Sequence, residues 1–130
     1  MFDDPQGPVE HFSWGKFVIC GAEHSGGDKG RIGAGKDIRL IGRDATEWHE
    51  RKGHQLTSSM ITGVYDQRIE VLIIGAGVNG ALECPDEVKH GIEAKGIGRV
   101  IVARTPDACV LYNSLYRQGT RVALLAHGTC

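Results

Sequence analysis

Gly75-Ala76-Gly77-Val78-Asn79-Gly80 follows the apolar run Glu70-Val71-Leu72-Ile73-Ile74. This is the G-x-G-x-x-G spacing that, after a strand, rests a dinucleotide pyrophosphate on a helix N-terminus. That chemistry needs a helix to open at the glycines. Pro85 would then lie inside it, at a cost of about 3 kcal/mol or more. A helix starting at Pro85 fits better, which makes the glycines a loop bordering a pocket or a partner surface. Where a ribose-binding acid belongs, after the next strand, stands Arg104. A second stretch, Gly30 to Asp37, nearly spells the phosphate loop G-x-x-x-x-G-K-[ST]. Asp37 lacks the neutral hydroxyl that binds magnesium and adds negative charge beside the phosphates. A strand pattern follows it, not a helix, so the stretch is read as a hairpin loop.

His49-Glu50 and His54 resemble the zinc-protease helix, but the histidines are five apart and i and i+5 do not share a helix face. His127 and Cys130 carry metal-binding side chains, yet two ligands are no site without a third. The expectation there is a solvated tail with a free thiol, and no metal or other cofactor is assigned. Cys20, Cys84, Cys109 and Cys130 form no C-x-x-C pair. No G-x-S-x-G nucleophile elbow is present.

The elements that must position these residues are clearest in the second half. The run ending at Ile74 is a strand covered on both faces. Pro85, Asp86 and Glu87 start a helix that Gly96 closes, and Arg99 to Ala103 is a second buried strand. Thr105-Pro106-Asp107 starts another helix with Thr105 as N-cap; Ala108, Leu111, Tyr112 and Leu115 share one face and Gly119 ends it. Val122 to Ala126 is the last strand. This is a βαβαβ pattern, and right-handed crossovers put the helices against a parallel sheet whose ligands sit beyond the strands' carboxyl ends. The candidate pocket there comprises Gly75, Gly77, Arg104, Thr105, Tyr112 and Asn113. The plainer assignment makes Tyr112 core and has Asn113 tie a neighbouring loop.

The first half is less regular. Residues 1–10, rich in acids, prolines and glycine, are expected to be a flexible tail, leaving residues 11–130 as one domain. Phe12 to Cys20 is expected as a first strand, paired antiparallel with an alternating second strand from Asp37 to Gly42. A short helix is expected from Ser58 to Tyr65, with Thr57 as N-cap. Trp14 and Trp48 are core or rim anchors. The fold class is therefore α/β: a single three-layer domain with a βαβαβ core, a mostly parallel sheet and N-terminal antiparallel strands.

With 130 residues, 15 basic and 16 acidic, the chain carries a net charge of -1. That is no footprint for nucleic acid or an anionic membrane. No apolar run approaches the roughly 18 to 20 residues that span a bilayer, and the start lacks signal-peptide features. A soluble cytoplasmic protein is expected.

Taken in order, these pieces resemble the small α/β family called domain of unknown function 498. The resemblance covers about Phe12 to Cys130. It rests on Ser13-Trp14-Gly15, Asp37 to Leu40, Trp48, His54, Leu72-Ile73-Ile74-Gly75-Ala76-Gly77, Gly96-Ile97, Thr105, Ala108, Tyr112-Asn113, Leu115, Gly119 to Val122, and His127-Gly128-Thr129-Cys130. The chain departs from the pattern in a shorter Met60 to Gln67 and in the third glycine, Gly80. The resemblance implies a βαβαβ core with extra antiparallel strands. It implies no established enzymatic activity: the better-known eukaryotic members, a cytosolic adipogenesis-associated protein and a mitochondrial complex I assembly factor, look like adaptors or assembly factors. The expectation is a non-catalytic accessory protein whose partner is another protein or a second copy of the chain. The alternative is a small-ligand-binding protein or enzyme using the strand-end pocket.

Overall fold

A strand whose residues are all apolar must be covered on both faces, and Val71 to Ile74 meet that demand. The structure, a computed structural model, describes residues 1–25 and 37–130. Its elements are β1 (Phe2–Asp3), β2 (Val9–Ser13), β3 (Lys16–Ile19), β4 (Ala22–Ser25), β5 (Asp37–Ile41), β6 (Asp44–Glu47), β7 (Val71–Gly75), α1 (Asp86–Ala94), β8 (Arg99–Ala103), α2 (Thr105–Arg117) and β9 (Val122–His127). The main sheet has the order β6-β5-β9-β7-β8. Within it β7 runs parallel to β8 and β9, and β5 pairs antiparallel with β9 and β6. A second, antiparallel sheet has the order β1-β2-β3-β4.

Side chains alternate across β7 and β9 and so feed two cores. Leu72, Ile74, Ala123 and Leu125 pack with Val88 and Ile92 of α1 and with Trp48, Leu56, Ile61 and Val64. On the other face Val71, Ile73, Val122 and Leu124 meet Ala108, Cys109 and Tyr112 of α2, together with Val9, Phe12, Phe17 and Ile19 of the small sheet. The main sheet is thus the middle of three layers. The α1 helix opens after Pro85 with Asp86 and Glu87 in its first turn, near the positive end of its dipole.

Three expectations change. Phe12 to Cys20 is a hairpin: Ser13 stands opposite Lys16, and Gly15 takes a φ of +73° at the turn. The hairpin joins the small sheet, while β5 lies beside β9, whose six residues are all buried and which needs an apolar neighbour on each side. Ile38 and Leu40 supply one. The stretch read as a tail is paired, with Phe2 opposite Phe12 and Asp3 opposite His11. The helix expected from Ser58 to Tyr65 is a single 3-10 turn, Ser58–Met60, and Thr57 makes no side-chain cap bond. Gly63, at a φ of +74°, departs from helical backbone. Of the near-phosphate loop, residues 30–36 lie outside the described residues, and Asp37 begins β5.

Candidate functional site

The carboxyl ends of β7, β8 and β9 come together at Gly75, Ala103 and Ala126. Thr105, fully buried, joins them: its hydroxyl accepts the Gly77 N–H at 2.8 Å and donates to the His127 carbonyl at 2.7 Å. Arg104, not Thr105, occupies the N-cap position of α2, which frees the Thr105 hydroxyl for this tie. Gly75 is hemmed in, because a Cβ there would stand 3.0 Å from the Thr105 hydroxyl and 3.1 Å from the Ala126 Cβ.

Every backbone N–H from Ala76 to Leu82 has an acceptor within the protein. Ala76 donates to Ala103 (2.8 Å), Val78 to Thr129 (2.6 Å), and Asn79 and Ala81 to the Cys130 main-chain oxygen (3.1 Å each). Gly80 donates to Gly77 (3.3 Å) and Leu82 to Ala76 (3.1 Å). The groups a phosphate would use are thus occupied by Ala103, by the Thr105 hydroxyl, by the segment after β9 and by the loop itself. Gly77, at a φ of +95°, has the Cys130 carbonyl packed where a Cβ would go.

The structure brings Gly75, Gly77 and Thr105 together and sets Arg104 beside the loop, with its Cγ 3.5 Å from where a Gly80 Cβ would lie. Tyr112 and Asn113 stand elsewhere. The Tyr112 hydroxyl donates to the Gly42 carbonyl at 2.7 Å and lies 3.4 Å from the Val122 oxygen, at the amino end of β9. Burial pushes that hydroxyl's pKa up. The Asn113 amide is the plainer assignment realised: it accepts the Val9 N–H (3.0 Å) and donates to the Val9 carbonyl (2.8 Å) and to Asp4 (3.0 Å). Two clefts, of about 340 and 420 Å³, open elsewhere, the first around Arg39, Gly63 and Arg121 and the second around Gln55, Ser58 and Pro85.

His127, expected in a solvated tail, is the last residue of β9 and only 3% exposed. Its Nδ1 lies 2.8 Å from Asp37 Oδ1, and Asp37 also accepts the Gly128 N–H (3.0 Å) and the Arg51 guanidinium. Burial pushes the Asp37 carboxyl up, but the bonds from His127, Arg51 and Gly128 and the Arg51 charge outweigh it and hold the pKa below the ordinary range. An ionised carboxylate only accepts, so Nδ1 carries a proton, and it is Nε2 that is left as the acceptor of the neutral ring. That Nε2 lies 3.7 Å from the half-buried Cys130 sulfur and 3.3 Å from the Thr129 hydroxyl. His54 Nε2 approaches the same sulfur at 3.1 Å.

The third metal-binding side chain that His127 and Cys130 lacked in the sequence is therefore His54. The reciprocal bonds of Leu56 N–H to Glu83 O and Glu83 N–H to His54 O, 2.8 Å each, hold it there. With His54 and Cys130 76 positions apart, local spacing carries no sign of the meeting.

A three-layer α/β domain with a βαβαβ core, an appended antiparallel sheet and a glycine loop closed by its own chain is the class these features define. A family model described as "Protein of unknown function (DUF498/DUF598)" matches residues 9–127, and the chain belongs to that family. A conserved hypothetical protein from Pyrococcus horikoshii is similar in structure, with 22% identity, a TM-score of 0.75, and coverage of 94% of this chain and 98% of that one. A Bartonella henselae protein described as an outer membrane protein is 24% identical, with a TM-score of 0.73 and 95% of each chain covered. A Bordetella pertussis protein described as a Mth938-like domain is 17% identical, with a TM-score of 0.63 and coverage of 92% and 84%. At these identities the likeness is one of fold. Among the described residues of this chain no helix is long and apolar enough to cross a membrane.

Proposed function

We propose that this chain is a non-catalytic accessory protein that meets a protein partner through the surface at the carboxyl ends of β7, β8 and β9. One observation carries the reading: all the amides of the loop from Ala76 to Leu82 are bonded within the protein. A small anionic ligand would have to break those bonds before forming its own, whereas a protein can use the closed surface as it stands. Trp14 borders that surface, 55% exposed, on a turn held by the Gly15 N–H to the Gly128 carbonyl at 2.7 Å. Exposed Arg104 lies at the same end. Tryptophan and arginine are the types that concentrate binding energy at interfaces, so the partner offers an apolar pocket with an acidic rim. All four cysteines are free, which suits a reducing, cytoplasmic setting.

The test compares wild type with Trp14→Ala by quantitative crosslinking in the native host, with sedimentation to detect self-association. A stoichiometric partner held by wild type and lost from the variant, at unchanged melting temperature, supports the proposal. Equal recovery with both, or a metabolite that binds the strand-end loop and competes with the partner, contradicts it.

A further inference from the structure

We propose that His54, His127 and Cys130 form a binding site for a zinc-type divalent cation, oriented by Asp37. The inference goes beyond the accessory reading and does not depend on it. The three ligand atoms lie within 4.8 Å of one another. Zinc–nitrogen bonds of about 2.0–2.1 Å and a zinc–sulfur bond of about 2.3 Å, set tetrahedrally, place ligand atoms roughly 3.3 to 3.6 Å apart. The two sulfur–nitrogen separations, 3.1 and 3.7 Å, bracket that range. His54 is exposed, and its ring centroid lies 5.8 Å from that of His127.

The surroundings are built for the same purpose. Asp37 fixes the His127 tautomer so that Nε2 faces the sulfur, the carboxylate–histidine arrangement that raises the basicity of a metal-bound imidazole. Arg51 and the Gly128 N–H hold Asp37 in turn. Two imidazoles and a thiolate favour zinc or cobalt over the oxygen-seeking calcium and magnesium. On binding, the Cys130 S–H bond breaks, the sulfur–metal bond forms and the proton leaves to solvent. Three protein ligands leave a fourth position for water or a partner's side chain. The same residues do not make an acyl-transfer centre, because the adjacent amides of the glycine loop that would stabilise an oxyanion are already bonded.

Tag-free, metal-stripped protein titrated with Co(II) tests the proposal. One equivalent is expected to bind with the intense visible bands of tetrahedral cobalt and a thiolate-to-cobalt charge-transfer band, both bleached by Zn(II). Cys130→Ser removes the charge-transfer band. His54→Ala, at an exposed position, weakens binding at least about 10-fold without altering the metal-free melting curve. Asp37→Asn weakens it about 10- to 100-fold, and Cys20→Ser changes nothing. Absence of the charge-transfer band in wild type, its survival in Cys130→Ser, or equal cobalt affinity in His54→Ala would overturn the proposal.

Discussion

Replacing Thr105 by valine keeps the side-chain shape and removes one hydroxyl, so its cost measures what that hydroxyl does. The residue is fully buried, and its two bonds, 2.8 Å from the Gly77 N–H and 2.7 Å to the His127 carbonyl, join the glycine loop to the end of β9. Valine strands both backbone groups away from water, at about 1–3 kcal/mol each; sparing the burial of a hydroxyl returns part of that, leaving a destabilisation of about 2–4 kcal/mol. For 130 residues the unfolding entropy is about 0.27 kcal/mol/K, so the melting temperature should fall by about 7–15 °C. Thr105→Ser keeps the oxygen and loses a methyl worth about 1 kcal/mol. Urea titrations of the three proteins, with m-values compared to verify two-state behaviour, supply the numbers. A valine variant within about 0.5 kcal/mol of wild type would refute the reasoning, as would a serine variant as damaged as the valine one. The Thr105 hydroxyl would then not be a structural tie.

Asn113→Leu should cost about 2–4 kcal/mol, because both main-chain groups of Val9 lose their partner, and amide exchange should rise first in β1 and β2. Gly77→Ala should destabilise by about 1–3 kcal/mol or more, since φ is +95° and the new methyl meets the Cys130 carbonyl; thermal melting reads it directly. The pH dependence follows from Asp37, whose carboxyl is held below its ordinary value of 3.8. The folded state therefore binds this proton more weakly than the unfolded state. The stabilisation is complete above that value and is lost as pH falls through the lower folded value. Urea midpoints should show a gap between wild type and Asp37→Asn that is present at about pH 5 and shrinks below about pH 4. A gap unchanged at the lowest pH would sink this assignment.

The βαβαβ half was readable because each of its elements carries its own punctuation. Val71 to Ile74 stop at glycine, Pro85-Asp86-Glu87 open α1, and Gly96 and Gly119 follow the helices. The first half was harder because its decisive signals are small or distant. One glycine, Gly15, turns an apolar stretch into a hairpin that period-2 alternation alone would carry straight through. The residues before Val9 look like a tail by composition, yet Asn113, 104 positions from Val9, holds the start of β2 in place, and Arg117 donates to Asp4 at 2.8 Å. Of the expected pocket, Gly75, Gly77 and Thr105 do meet, since strand ends and the following helix start are neighbours in any such sheet. Tyr112 and Asn113 separate from them because they sit farther along α2. The His54–His127–Cys130 grouping depends on where residues 48–69 cross the sheet, which no local pattern encodes.

The closed state of the glycine loop is tested most directly by amide exchange, followed by NMR, at Gly77, Val78, Asn79 and Ala81. Slow exchange is expected at all four, unchanged by nicotinamide dinucleotides, because Thr105 and the main chain of Thr129 and Cys130 already accept these protons. Exchange at unprotected rates, or dinucleotide-induced shifts confined to these amides, would show an open anion-binding loop and contradict it.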